Sequence, residues 1–239
     1  MQRFFAKILG GEALFSSPEE HHLLDVMRTQ EGELFEVADE GAVYLARLVS
    51  RNPLRVRLES RLPEDNELPS SLFIGFSLLK GGHDETVLLK GTELGVKGFF
   101  PFVSERTIIR LDEKEKAKRL ERFVKIVEEG AKQSKRTLVP AVFPIIPFQK
   151  LLQEPADVRV IAYENEKEKI HSLDEAFSAL PRGGKLLALV GPEGGFSLTE
   201  VLSANAAGFQ SVGLGKRILR AETASLFLAS AFSFAKEGR

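Results

Sequence analysis

The 239-residue chain has no cysteine, which excludes disulfides, thiolate metal sites and cysteine nucleophiles together. Long apolar runs are missing too. Nothing approaches the roughly eighteen residues of a membrane span, and the opening MQRFFAKILGGE is too short in its apolar part for a secretory signal. The expected location is therefore cytoplasmic, with no membrane partner. There is no excess of one charge: 33 Lys and Arg stand against 34 Asp and Glu, a formal net charge of −1. That balance argues against an indiscriminate nucleic-acid coat, so any RNA or DNA contact must come from local clustering of basic residues. The 43% hydrophobic content allows a normal core for one large or two small domains.

Against these absences stands KLLALVGPEGGFSLTE, Lys185 to Glu200. Leu186 to Val190 is a short apolar run bounded by glycines, the pattern of a strand buried on both faces of a parallel sheet. Gly191 to Gly195 then holds three glycines and a proline, so the backbone can take positive φ and nothing bulky guards its amides. Ser197 and Glu200 have capping-box spacing, with Phe196 and Val201 at the two ends of a hydrophobic staple. Ligands of open α/β sheets sit where such loops meet helix starts, although a glycine-rich turn that merely joins strand to helix has the same composition. No Gly-Lys-Ser/Thr follows and the G-x-G-x-x-G spacing is absent, so neither common nucleotide motif is present.

In chain order, Gln2 to Leu9 can be an edge strand, and Ser17, Pro18 and Glu20 suggest a capped helix over about Pro18 to Arg28. His21 and His22 are adjacent on that helix, about 100° apart, and do not share a metal ion readily; they read as packing or surface residues, and no metal is expected. Leu34 to Val37, the turn Asp39-Glu40-Gly41 and Ala42 to Val49 resemble a hairpin, and Leu54 to Ser60 alternates apolar with charged residues, which makes a small β-rich domain. Arg47, Arg51, Arg55, Arg57 and Arg61 face only Glu59 in that stretch. Arg55 and Arg57 share a strand face that could hold phosphates or simply solvate the sheet. Leu62 to Ser70 has the composition of a domain boundary, dividing 1–68 from 69–239. Beyond it, strands alternate with helices as in parallel βα units: Leu72 to Leu79, a helix near Asp84 to Leu94, Gly98 to Val103, a long helix over Lys114 to Ser134, Val158 to Ala162, and a helix near Leu173 to Leu180. After Gly208, Phe209 to Leu214 can be another strand, followed by a second glycine loop, GLGKRILRAET. The last helix, about Glu222 to Lys236, is apolar or small nearly all round, which suggests a subunit interface.

GPEGGFS at Gly191 to Ser197 and LGKRILRAETA at Leu214 to Ala224 together resemble the signature of the SPOUT class of S-adenosylmethionine-dependent RNA methyltransferases. TELGV at Thr92 to Val96, SER at Ser104 to Arg106, EEGAKQSKR at Glu128 to Arg136, and the opening QRFF with HHLLDVMR look like the small-subunit ribosomal RNA uridine-N3 methyltransferase family, RsmE-like. Lys216 stands where that family usually has proline and Ala221 where it usually has threonine. The resemblance implies an α/β fold: a small PUA-like β-barrel domain that binds RNA over 1–68, then a SPOUT trefoil-knot methyltransferase domain over 69–239. It implies S-adenosyl-L-methionine as cofactor, 16S ribosomal RNA within the small ribosomal subunit as partner, and a homodimer.

The cofactor wall implied by the resemblance comprises Leu189, Gly191, Pro192, Glu193 and Gly194 from the first loop and Leu214, Gly215, Ile218 and Leu219 from the second. Tyr163 and Glu164 end an earlier strand and would close it. Plain core packing also explains Leu189, Ile218 and Leu219. Arg220 and Glu222 are the catalytic candidates, the arginine to stabilise a developing negative oxygen and the glutamate to accept the proton or orient that arginine. An N-terminal cap and ion pair for the last helix would use the same two residues. Glu193 is a second candidate base, or a loop carboxylate. Arg3, Arg55, Arg57, Arg106, Gln133 and Arg136 are the candidates for gripping RNA. Two other readings stand beside this one: a SPOUT enzyme acting on a transfer RNA base or ribose, and a non-catalytic RNA-binding ribosome-assembly protein.

Overall fold

Two periods of hydrophobic repetition, two and 3.6, divide the chain into strands and helices, and the strands gather into two separate sheets. The computed structural model describes residues 1–163 and 171–237. Its first unit is Met1–Glu67 with Ala131–Val139, and its second is Leu68–Gly130 with Pro140–Arg239. The expected division near residue 68 had placed 131–139 with the second domain.

In the first unit, β1 (Arg3–Phe5), β2 (Lys7–Leu9) and β3 (Glu12–Leu14) precede α1 (Ser17–His21), which runs on as a π-helical turn, His22–Val26. β4 (Leu34–Asp39), β5 (Ala42–Arg51) and β6 (Leu54–Leu62) complete a sheet of order β1-β4-β5-β6-β3-β2. Its two outermost strands are consecutive in the chain, so the sheet curls round on itself. The β4–β5 hairpin turns on Glu40 and Gly41, at φ 45 and 88, the left-handed pair that fits the right-handed strand twist. Phe4, Phe35, Val37, Leu48 and Val56 fill the inside, with Phe4 and Phe35 edge to face at 5.4 Å. The α1 start differs from expectation. Its N-cap is Ser16, which makes no side-chain cap hydrogen bond, and Pro18 follows in the first turn. His22 packs its ring on Phe4, and His21 pairs with Asp25 at 2.7 Å.

The second unit is built from β7 (Ser71–Ser77), α2 (His83–Glu93), β8 (Gly98–Val103), α3 (Glu113–Gln133, whose last turn joins the first unit), β9 (Ala141–Val142), β10 (Ile146–Pro147), α4 (Phe148–Leu151), β11 (Val158–Ala162), α5 (Leu173–Ala179), β12 (Lys185–Val190), α6 (Leu198–Ala206), β13 (Gln210–Val212) and α7 (Ala221–Lys236). The sheet runs β10-β8-β7-β12-β11-β13 with β9 beside β8, and every pairing is parallel. A parallel sheet covered on both faces explains why β8 and β12 read as nearly unbroken apolar runs. β12, late in the chain, lies between β7 and β11, and α7 packs on β7, β12 and α2. Glu164 lies outside the described residues.

Candidate active site

Because all these strands are parallel, their carboxyl ends share one edge of the sheet, the edge where α/β folds bind ligands. Along it, from β8 to β13, come Ser104–Thr107, the turn Leu78–His83, the loop Gly191–Phe196, Tyr163, and the loop Gly213–Arg220. The two glycine loops thus flank the end of β11. Tyr163 there donates its amide to the Val212 carbonyl at 3.1 Å.

The first loop is a tight turn. The Gly195 amide donates to the Pro192 carbonyl at 2.8 Å, and Gly195 sits at φ 67. A Cβ on Gly191 would meet Phe196 at 3.1 Å, a tight contact that leaves little room for a side chain where the chain returns. Gly191 and Pro192 are buried, while Glu193, Gly194 and Gly195 are exposed. Leu189 is fully buried in the core beneath. The helix start is as expected: the Glu200 amide donates to Ser197 Oγ at 3.2 Å and the Ser197 amide to Glu200 Oε2 at 2.9 Å, with Phe196 and Val201 in one core cluster. The other oxygen of Glu200 accepts from the Glu105 amide at 2.8 Å. Arg106 next to it donates to the Gly194 carbonyl at 3.0 Å. Behind this contact Ser77, Ser104 and Thr107 form a buried hydroxyl cluster, with Ser77 Oγ and Thr107 Oγ1 2.7 Å apart.

The second loop presents its backbone and its apolar side chains openly. Gly215 is exposed at φ 106, Leu214 and Leu219 are half-buried, and Ile218 is 96% exposed. Arg220 is the N-cap of α7, but its side chain makes no cap bond; it is exposed, with no ion pair among the described residues. Glu222 points inward, its side chain only 15% exposed and its Oε1 3.4 Å from His83 Nδ1. Glu193 Oε1 accepts from the Lys80 amide at 3.0 Å.

Residues 66–233 match the family described as the RNA methyltransferase domain. The chain is 36% identical over 250 residues to the ribosomal RNA small subunit methyltransferase E of Bacillus subtilis (strain 168), covering 99% of this chain and 98% of that one. It belongs to the ribosomal RNA small subunit methyltransferase E family. Another methyltransferase E, from Synechocystis sp., is 34% identical over 91% of this chain and 71% of its own. The crystal structure of the methyltransferase E from Neisseria gonorrhoeae bound to S-adenosyl methionine superposes with a TM-score of 0.84 at 34% identity, covering 97% and 96% of the two chains.

The six basic or polar residues expected to meet RNA fall into two groups. Arg55, Arg57 and Gln133 are exposed in the first unit and Arg106 lies on the sheet edge of the second. Arg57 shares Glu59 with Arg47, directly across the β5–β6 ladder, and Arg55 pairs with Glu12. Arg3 and Arg136, by contrast, are 1% and 2% exposed. Arg3 donates to Glu36 at 2.9 Å, to Glu64 and to the Arg136 carbonyl at 3.2 Å, while Arg136 donates to Glu67 at 3.2 Å. Both guanidiniums hold the first unit together. Among the described residues there is no cluster of three or more potential metal ligands, and no helix is long and apolar enough to cross a membrane. The sequence reading passed over the turn at Leu79–Asp84. Its signal was Gly81-Gly82 directly after a buried strand, the same punctuation that drew attention to the other two loops.

Proposed function

We propose that the protein transfers a methyl group from S-adenosyl-L-methionine to N3 of a specific uridine in 16S ribosomal RNA of the small subunit. The observation that carries this reading is the placement of two glycine loops, at the ends of β12 and β13, on either side of the β11 end, with the exposed Arg220 following the second loop. The residues suit this cofactor. Exposed backbone at Glu193, Gly194 and Gly215 offers amides and carbonyls to its polar groups, and Leu214, Ile218 and Leu219 offer apolar surface to its adenine. Gly191 and Pro192 shape the first loop, Leu189 supports it from below and Tyr163 closes the middle. When bound, S-adenosyl-L-methionine supplies a methyl group on a positively charged sulfonium.

The chain's own task is to make N3 of uridine reactive, because its imide proton must leave as the new N–CH3 bond forms. Glu222 accepts that proton or orients Arg220, and Arg220 donates to the neighbouring carbonyl oxygen, where negative charge collects. Holding the base in line contributes on the order of 7 to 11 kcal/mol. N3 lies on the Watson–Crick edge, so the target uridine is unpaired or flipped out. The six-stranded sheet of the first unit, whose end strands β1 and β2 are consecutive in the chain, supports a PUA-like barrel that binds RNA, using Arg55, Arg57 and Gln133; Arg106 is a separate candidate on the second unit. The insertion of β12 between β7 and β11, and the packing of α7 on β7 and β12, support the SPOUT trefoil knot. The α7 stripe of Thr223, Phe227, Ser230 and Phe234 is exposed and supports a homodimer. Mass mapping of ribosomal RNA from cells lacking the protein tests the proposal. One small-subunit uridine is expected to lose a methyl group and regain it on complementation. A loss confined to transfer RNA, or none at all with no calorimetric binding of S-adenosylmethionine, overturns it.

A further inference from the structure

The turn between β7 and α2, with the first residue of α2, plays no part in the chemistry above, yet it reaches both the first loop of the site and the start of α7. Gly81 and Gly82 take φ 63 and 80 in succession, a sharp reversal that side chains disfavour. Arg119 of α3 fixes both ends: its guanidinium donates to the Leu79 carbonyl at 3.2 Å and pairs with the buried Asp84, Nε to Oδ2 at 3.1 Å. The planar, multi-donor guanidinium suits such a two-point hold. Between the anchors, the Lys80 amide binds Glu193 and the His83 ring lies against Glu222. A glutamate has three rotatable bonds, so at the start of α7 its carboxylate needs a second contact to stay in one place.

We propose that His83 is a positioning residue, holding the Glu222 carboxylate in the orientation it needs to act on the uridine imide or on Arg220. The bracket formed by Arg119, Leu79 and Asp84 makes that hold rigid. His83 itself is 43% exposed at its side chain, so its replacement leaves the core unaltered.

This inference rests on the role given to Glu222, and the test separates the two. His83→Ala, His83→Lys, Glu222→Gln and the double variant His83→Ala/Glu222→Gln are assayed with labelled S-adenosylmethionine on small ribosomal subunits from cells lacking the protein. His83→Ala is expected to lower kcat on the order of tenfold to a hundredfold, with KM for S-adenosylmethionine within about twofold. His83→Lys, which keeps an N–H donor facing the carboxylate, is expected to recover most of the rate, and the double variant to be no slower than Glu222→Gln. An unchanged kcat in His83→Ala, no rescue by lysine, or multiplying losses in the double variant overturns the positioning role while leaving Glu222 in place. A wild-type rate for Glu222→Gln removes the role of Glu222 and this inference with it. A large fall in melting temperature for both His83 variants would assign the residue to the fold and also overturn the proposal.

Discussion

Arg220 and Glu222 stand two positions apart at the head of one helix but in opposite environments. The arginine faces outward, and the carboxylate is enclosed against His83. The Arg220 guanidinium carries only donors, so it cannot cap the first-turn amides, and it makes no ion pair among the described residues. Arg220→Ala is therefore expected to leave the melting temperature and the calorimetric affinity for S-adenosylmethionine nearly intact while kcat falls roughly 100- to 1,000-fold. Equal loss of affinity and rate would return Arg220 to a structural role. Lone side chains were the least legible part of the sequence. Arg3 and Arg136 look like phosphate contacts in a linear reading, but their partners Glu36, Glu64 and Glu67 lie 33, 61 and 69 positions away, beyond any local pattern. Arg55 and Arg57 could be assigned to one exposed face because strand periodicity alone decides it.

Strands and helices with a strong period and a cap were legible at the level of the element. β8 and β11 occupy the stretches expected, and α6 begins at its capping box, because burial pattern and cap chemistry agree there. The π-helical turn at His22–Val26 was not legible, since no residue type marks it. The cap also does more than start a helix: Glu200 ties the Ser197 amide to the Glu105 amide, and so ties the first loop to the end of β8. Glu200→Ala strands the buried Ser197 amide and the part-buried Glu105 amide. It is expected to cost about 1–3 kcal/mol in urea unfolding and to weaken S-adenosylmethionine binding in the same variant. The sequence's nearly all-apolar α7 keeps Phe227 and Phe234 43% and 70% exposed in the single chain. Phe227→Glu is expected to shift the species seen by size-exclusion light scattering from dimer to monomer; an unchanged mass would remove α7 from the interface.

At the scale of the whole molecule, the near-neutral net charge leaves RNA affinity to a few local cations. With three phosphate contacts on a single strand, the slope of log affinity against log salt is expected to be about −2. A flat response would remove the arginine contacts. Acid sensitivity has two opposed sources. Burial pushes the Glu36 carboxyl up, but the hydrogen bonds and charges of Lys135 and Arg3 outweigh it and hold the group below its ordinary 4.5. Its contribution is present above that value and is lost as pH falls through the folded pKa. Burial raises Asp84 above its ordinary 3.8 despite Arg119, so its contribution has the reverse sign, present below 3.8 and lost as pH rises through the folded value. Glu36→Gln is expected to flatten the loss of urea stability on acidification below about pH 4.5; an unchanged slope would place the sensitivity elsewhere. The same carboxylate belongs to a wider arrangement. Lys135, in a left-handed conformation at φ 60, reaches Glu36 at 2.7 Å, and Glu67 accepts the Thr137 amide at 3.0 Å. The chain therefore crosses between its units three times, after Glu67, Gly130 and Val139. Neither unit is an exchangeable cassette: a graft of 1–68 onto another catalytic domain would lack the nine-residue strip 131–139, whose carbonyls accept from Arg3 and whose Lys135 and Arg136 pair with Glu36 and Glu67, so the two pieces have to move together.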